Sequence, residues 1–256
     1  MFIDTHAHLY FDQFNDDREK VVQRAIQNKV SAIITIGTDV DNSKASIKLA
    51  EKFAIVYAAV GIHPNDCQNF DLSVLDKIRD LAASNKVVAI GEIGLDYYHS
   101  TSEKEKQHVF FREQLRLAME LHLPVIIHNR DAHDDVYKIM VEEKAFNTGA
   151  VMHSFSGNFD FLESVLAQNI YISFTGVVTF KNANYYRLID RAPVEQLLLE
   201  TDSPFLAPVP FRGKRNEPAY VKYSAEKIAQ VKGLSTEQLA HMTSENAKNL
   251  FQLNLK

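Results

Sequence analysis

FIDTHAH, at residues 2–8, joins a short apolar run to two histidines, and the same arrangement recurs along the chain. Short apolar runs, many of them rich in β-branched residues, appear at fairly regular intervals. We predict strands at FIDTH 2–6, SAIITIG 31–37, AIVYAAVGI 54–62, VVAIGE 87–92, PVIIH 124–128, AVMH 150–153, IYISF 170–174 and LLLE 197–200. Near-continuous apolar runs of this length are typical of strands that are buried on both faces of a parallel sheet.

Segments with helical period separate these strands and follow the last one. The clearest are 103–122, 131–144, 218–232 and 236–252. Ser235 with Gln238 resembles a capping box, and Pro218 lies where a first helical turn would begin. The region 176–196 predicts only a short helix. Eight strands that alternate with helices predict an α/β fold, a (β/α)8 TIM-type barrel that occupies residues 1–256 as a single domain.

Composition limits the classes of function. The chain has 256 residues and a net charge of −5, so any nucleic acid must be held locally rather than over a broad basic surface. Cys67 is the only cysteine, so it has no internal disulfide partner, and we interpret it as a small residue in a polar loop. The start of the chain lacks the pattern of a signal peptide, and no apolar run has membrane-spanning length. We therefore expect a cytoplasmic protein without a membrane contact or an obligate protein partner.

Side chains that can bind metal stand at the C-terminal ends of most predicted strands. They are His6 and His8 after the first strand, His63 after the third, Glu92 after the fourth, His128 after the fifth, His153 after the sixth, and Glu200 and Asp202 after the eighth. In a barrel these ends meet on one face, where the active site lies. One such histidine is usually a packing residue, but this explanation would have to hold separately at every position.

The number of these residues predicts two metal ions. A zinc site with an open position takes about three protein ligands, whereas two ions that share a bridging ligand take more. His6 and His8 are two residues apart in an extended segment, so both imidazoles can face one ion. Two ions of this kind activate a water and stabilise a leaving oxygen, which is hydrolytic chemistry. We interpret GEIG, at 91–94, as a tight turn that positions Glu92.

The sequence resembles the TatD-family DNases, within the amidohydrolase-like metal-dependent hydrolases. The resemblance rests on FIDTHAH 2–8, GIHP 61–64, GEIGLDYY 91–98, PVIIHNRDA 124–132, HSFSG 153–157, ETDSPFL 200–206 and RGKRNEP 212–218. It implies one metal held by His6, His8 and Asp202, a second held by His128 and His153, and a bridge formed by Glu92. It also implies magnesium-dependent cleavage of DNA, often from an end. Imidazole ligands by themselves favour zinc or manganese over magnesium.

Further residues receive roles with open alternatives. Glu92 and Asp202 are the predicted catalytic residues, and Asp202 is expected to accept a proton from the attacking water. Asp96 and Glu200 are expected to orient histidine ligands. His63 is predicted to contact a substrate phosphate, or alternatively to pack. Arg130 is also predicted to contact a substrate phosphate, or alternatively to form a salt bridge with Asp96 or Glu200.

The segment FRGKRNEP, at 211–218, predicts a local phosphate-binding patch. Arg212, Lys214 and Arg215 surround Gly213 after the last strand, where barrels often bind phosphate; the alternative is an ordinary solvated loop. Three phenylalanines either stack on a splayed base or belong to the core: Phe155, Phe205 and Phe211.

The leading hypothesis is a divalent-metal-dependent deoxyribonuclease that acts on DNA ends or single strands. The first alternative keeps the site but hydrolyses an ester or amide, including aminoacyl esters on RNA. Many such relatives bridge their metals with a modified lysine on the fourth strand, where this chain has Glu92. The second alternative is a non-catalytic barrel in which metal serves structure only.

Overall fold

The framework of the molecule is one sheet of eight parallel strands. The computed structural model describes residues 1–99 and 102–255. Each strand pairs with the next one along the chain, in the order β1 to β8. The strands are β1 Phe2–Ala7, β2 Val30–Ile36, β3 Val56–Val60, β4 Val87–Asp96, β5 Val125–Arg130, β6 Ala150–Met152, β7 Tyr171–Phe174 and β8 Leu197–Leu199. All the predicted strands are confirmed.

The first strand and the segment after the last strand close the sheet. Ala7 forms a parallel bridge with Ser203. The backbone N–H of Asp202 donates to the carbonyl of His6 at 2.9 Å, and that of His8 donates to the carbonyl of Ser203 at 2.7 Å. The predicted (β/α)8 barrel is thereby confirmed. The same hydrogen bonds hold the segments that carry His6, His8 and Asp202 against one another.

Helices connect the strands on the outside of the barrel. They are α1 Arg18–Gln27, α2 Val40–Lys52, α3 Val74–Ala82, α4 Lys104–Leu121, α5 His133–Glu142, α6 Phe159–Leu166, α7 Tyr186–Arg191, α8 Val221–Lys232 and α9 Thr236–Phe251. Ser235 and Gln238 form the predicted capping box. Pro218 opens a 3-10 turn directly before α8, so the predicted helix 218–232 is divided there. Within the described residues, no helix combines the length and apolarity needed to cross a bilayer.

An apolar interior lies beneath the strand ends. Ile34 and Val151, from strands on opposite sides of the barrel, belong to one buried cluster, which therefore fills the inside. Ile126 and Leu198 belong to it as well. Side chains two residues apart on a strand share a face, so the residues that follow these apolar ones also point inward. The interior thus directs His128, His153 and Glu200 toward the top of the barrel.

The prediction of a tight turn at GEIG was wrong. Residues 91–94 lie inside β4, which continues to Asp96. Gly94 has a φ of +142°, and a Cβ there would overlap the carbonyl oxygen of His128. A Cβ at Gly91 would stand 2.7 Å from the Cβ of Ile126. The glycines therefore permit a close approach of β4 and β5, which places Glu92 next to His128.

Candidate metal centre

Glu92 lies at the centre of a cluster of imidazoles, and its two carboxylate oxygens face different histidines. Oε2 is 3.4 Å from Nε2 of His6 and 3.8 Å from Nε2 of His8. Oε1 is 2.8 Å from Nδ1 of His128 and 3.7 Å from Nε2 of His153. One carboxylate can therefore contribute an oxygen to each of two neighbouring cation positions.

Asp202 completes the first group of ligand atoms. Its Oδ1 is 3.4 Å from Nε2 of His8 and 3.8 Å from Nε2 of His6. The two imidazole nitrogens are themselves 3.2 Å apart. Ligand atoms that each stand about 2.0–2.2 Å from a tetrahedral ion are about 3.3–3.6 Å from one another. The spacing of these atoms thus fits a shared divalent cation.

The outer hydrogen bonds of the histidines leave their inner nitrogens free to bind metal. Nδ1 of His8 is 3.0 Å from the carbonyl of Ile36, which can only accept, so Nδ1 carries the proton and Nε2 has a lone pair. Nδ1 of His153 is 3.0 Å from a carboxylate oxygen of Glu200. This geometry fixes the ring and its tautomer in the way that metal-binding histidines require.

Asp96 acts on His128 in the same manner. Its Oδ2 is 3.0 Å from Nε2 of His128. Asp96 is fully buried and also accepts hydrogen bonds from the backbone amides of Tyr98 and His99. Burial alone would raise the pKa of Asp96, but hydrogen bonds from His128 and His99 lower it. The structure thus brings Asp96 and Glu200 next to the histidines that they were predicted to orient.

The cluster carries an excess of negative charge. Burial would raise the pKa of Glu92, but the imidazoles of His6, His63 and His153 lower it well below its usual range. Burial would lower the pKa of His153, but Glu200 and Glu92 raise it to about 10. Carboxylates that draw protons onto buried imidazoles create the potential that a divalent cation neutralises. Both the donor atoms and the charge therefore fit a metal centre.

His63 lies in the cluster but presents a proton to it. The backbone N–H of Asn65 donates to Nδ1 of His63 at 3.1 Å, so neutral His63 carries its proton on Nε2. That atom is 3.6 Å from Oε1 of Glu92. Burial and neighbouring His128 lower the pKa of His63, which favours the neutral form of the ring. His63 is therefore a hydrogen-bond donor in the site, and its contact with a substrate phosphate stays a prediction.

Arg130 stands at the mouth of the site. Its guanidinium carbon is 4.8 Å from the ring centre of Tyr98. A cavity of about 220 Å³ opens beside the two residues, and its lining includes His128, His153 and Asp202. The alternative of a salt bridge with Asp96 or Glu200 is wrong, because each of those carboxylates binds an imidazole instead.

The loop after β8 provides fewer free cations than the sequence suggested. Arg215 binds both carboxylate oxygens of Asp17, at 2.7 and 2.9 Å, so it does not belong to a free basic patch. Arg212 is exposed, and its guanidinium carbon lies 4.5 Å from the ring centre of Phe180. Lys214 is also exposed. A phosphate contact by Arg212 or Lys214 stays a prediction.

Sequence reasoning missed two buried residues that hold the turn around Asp202. The amide nitrogen of Asn216 donates to the carbonyls of Thr201 and Phe205, at 2.8 and 2.7 Å. Asp4 accepts hydrogen bonds from the backbone N–H and hydroxyl of Thr201, at 2.9 and 2.6 Å. Asn216 lies within the RGKRNEP motif and Asp4 within the FIDTHAH motif, and these motifs were the signals available in the sequence.

The three phenylalanines have different environments. Phe155 is buried and stacks on Phe161, so it belongs to the core. Phe211 stacks on Tyr220 with ring centres 4.1 Å apart. Phe205 is 44% exposed and lies beside His8. Only Phe205 among the three combines exposure with a position at the metal-binding cluster.

A parallel eight-stranded barrel with histidines and carboxylates gathered at its strand ends is the architecture of a metal-dependent hydrolase. Residues 3–252 match the family model of the TatD related DNases. The chain belongs to this family of metal-dependent hydrolases.

Individual relatives agree with this assignment. A Bacillus subtilis (strain 168) protein described as the uncharacterized metal-dependent hydrolase YabD is 47% identical over 255 residues, which cover 99% of this chain and 100% of the relative. An Escherichia fergusonii protein described as the 3'-5' ssDNA/RNA exonuclease TatD is 36% identical, over 97% of this chain and 98% of the relative. The crystal structure of YJJV, a TatD homologue from Escherichia coli K12, superposes with a TM-score of 0.93 at 32% identity and covers 98% of each chain.

Proposed function

We propose that this protein is a divalent-metal-dependent exonuclease that hydrolyses phosphodiester bonds at the ends of single-stranded DNA. The observation that carries the proposal is the division of the Glu92 carboxylate, with one oxygen toward His6 and the other toward His128. A bridging carboxylate of this kind suits in-line displacement at phosphorus, where attacking and leaving oxygens both need stabilisation. The nuclease named among the relatives supports the substrate class.

The proposed centre holds two divalent ions. His6, His8, Asp202 and Oε2 of Glu92 would hold the first, and His128, His153 and Oε1 of Glu92 the second. When bound, such ions lower the pKa of a water and neutralise the leaving oxygen. The resemblance favours magnesium in function, and the imidazole-rich donor set also accommodates manganese or zinc.

The protein side chains have separate tasks in this proposal. Asp202 lines the mouth cavity and accepts the proton of the attacking water, because its carboxylate stands where a water can reach it. His63 donates its Nε2 proton to a phosphate oxygen, as its tautomer allows. Arg130 presents an exposed guanidinium at the cavity, where it binds the phosphate of the substrate.

A nuclease assay on metal-stripped protein tests the proposal. End-labelled single-stranded DNA is incubated with Mg²⁺, Mn²⁺ or Zn²⁺ and with wild-type protein or Glu92→Gln. The control is Glu51→Gln, an exposed glutamate on α2. We expect stepwise shortening by wild type and by the control, and none by Glu92→Gln. If folded wild-type protein cleaves no DNA with any metal, the proposal is wrong, and ester or amide substrates become the next choice for the same site.

A further inference from the structure

An aromatic cluster surrounds His8 at the edge of the metal centre. It consists of Tyr10, Phe11 and Phe205. Ring centres of Phe11 and Phe205 lie 5.4 and 6.2 Å from that of His8. Phe11 and Phe205 are 5.5 Å apart and nearly perpendicular, at 79°. The cluster therefore continues the wall of the metal site with apolar surface.

Phe205 is the part of this cluster that faces solvent. It is 44% exposed, whereas Phe11 is half-buried. Tyr10 is tied down, because its hydroxyl lies 3.2 Å from the hydroxyl of Thr38. Leu206, next to Phe205, is also exposed and lines the mouth cavity together with Asp202. An exposed aromatic ring supported from behind by another ring is a suitable surface for stacking a flat ligand.

The position of Phe205 relative to Asp202 is fixed by the backbone. The N–H of Phe205 donates to the carbonyl of Asp202 at 2.9 Å. Asn216, which is fully buried, holds the carbonyl of Phe205 from the other side at 2.7 Å. These hydrogen bonds hold the backbone of Phe205 next to Asp202, and the contact with Phe11 supports its ring.

We propose that Phe205, supported by Phe11, stacks the base of the nucleotide beside the scissile phosphate. The inference rests on the proposed nuclease function and adds a binding site for the base. Aromatic stacking accepts every base and does not read the sugar, so DNA and RNA ends would both fit. An unpaired end can bring its terminal base onto the ring without breaking base pairs, so the proposed site favours single-stranded ends.

The opposite side of the mouth does not compete for this role. Tyr98 is 61% exposed there, but its ring already carries the guanidinium of Arg130 at 4.8 Å. Tyr98 and Arg130 line the cavity together. The pair of Tyr98 and Arg130 is suited to a phosphate, and the aromatic cluster beside His8 is suited to a base.

The test compares Phe205→Ala with Phe205→Trp on two oligonucleotides. One has an ordinary nucleotide at the cleaved end, and the other has an abasic residue there. Phe159→Ala is the matched control, since Phe159 is 40% exposed on α6 and lies near Arg187, outside the site. Folding of every variant is checked by thermal unfolding.

For the ordinary substrate, Phe205→Ala should raise KM about tenfold or more, because each stacked base contributes about that much to binding. Phe205→Trp should retain the wild-type KM. On the abasic substrate wild type and Phe205→Ala should not differ. If Phe205→Ala and Phe159→Ala have the same KM on the ordinary substrate, the base site is wrong while the nuclease function stands. If wild type cleaves neither oligonucleotide, the nuclease function is wrong and the base site with it.

Discussion

His153 and Glu200 form a buried pair in which Nδ1 of the imidazole lies 3.0 Å from a carboxylate oxygen. The other oxygen of Glu200 accepts the backbone N–H of Ser154 at 2.7 Å. The carboxylate therefore fixes both the ring of His153 and the backbone that follows it. The role that we propose for Glu200 in the metal centre is therefore exerted through His153.

Replacement of Glu200 by Gln should weaken metal binding without unfolding the protein. The amide oxygen of Gln can still accept the imidazole proton, but without the negative charge that strengthens His153 as a ligand. We expect a loss of about 10- to 100-fold in metal affinity, measured by titration calorimetry with Zn²⁺ or Mn²⁺. Glu226→Gln, at an exposed position on α8, is the control. Equal affinity in the two variants would contradict this role.

His63→Asn should lower kcat while both metal equivalents remain bound. His63 presents a proton rather than a lone pair to the cluster, so its removal deletes a donor and not a ligand. A single donor to a developing negative charge accounts for about 10²–10³ in kcat. Metal content is measured alongside kcat, with His128→Asn as the variant expected to lose metal. Loss of a metal equivalent from His63→Asn would identify His63 as a ligand.

Asn216→Asp should destabilise the turn that carries Asp202. The variant places a carboxylate against the carbonyl oxygens of Thr201 and Phe205, which now receive hydrogen bonds from the Asn216 amide. Loss of two buried hydrogen bonds should lower the free energy of unfolding by about 2–4 kcal/mol, measured by urea denaturation. Metal affinity should fall as well, because Asp202 lies within the turn. An unchanged metal affinity in folded variant protein would show that the turn holds its shape without Asn216.

Acid should break the link between α1 and the loop after β8. Hydrogen bonds from Arg215, opposed by partial burial and supported by Arg24, lower the pKa of Asp17 to about 2. A carboxyl whose pKa is lowered in the folded state stabilises the protein above its ordinary pKa, near 4, and this stabilisation is lost as the pH falls toward 2. The free energy of unfolding of wild type, measured by urea denaturation, should therefore exceed that of Asp17→Asn by about 1–2 kcal/mol at pH 7. This difference should shrink between pH 4 and pH 2. A difference that does not change with pH would assign the stabilisation to packing.

The sequence predicted the features that depend on the strands, namely the barrel and the cluster of metal-binding side chains at its strand ends. It did not predict contacts between side chains and partners that no motif marks. Apolar runs place His128 and His153 at strand ends, and barrel closure brings those ends together, so the cluster followed from the pattern. Arg215 is ion-paired because it binds Asp17, which is 198 residues away in sequence and lies in no motif. The tautomer of His63 depends on a backbone amide two residues later, which no side-chain pattern encodes.

Removal of metal should reduce the thermal stability of the protein. The buried carboxylate of Glu92, the partly buried carboxylate of Asp202 and the imidazoles around them gain a partner in the folded state that the unfolded chain cannot assemble. A ligand that is present at 100 times its Kd raises the free energy of unfolding by about 2.7 kcal/mol. This corresponds to a rise in Tm of about 5–10 °C for a chain of this size. The measurement is a thermal scan of chelator-treated protein with and without added Mn²⁺ or Zn²⁺. The double variant His6→Asn, His8→Asn should lose most of this rise because it lacks both imidazoles of the first group. A rise of equal size in the double variant would place the stabilising ion elsewhere.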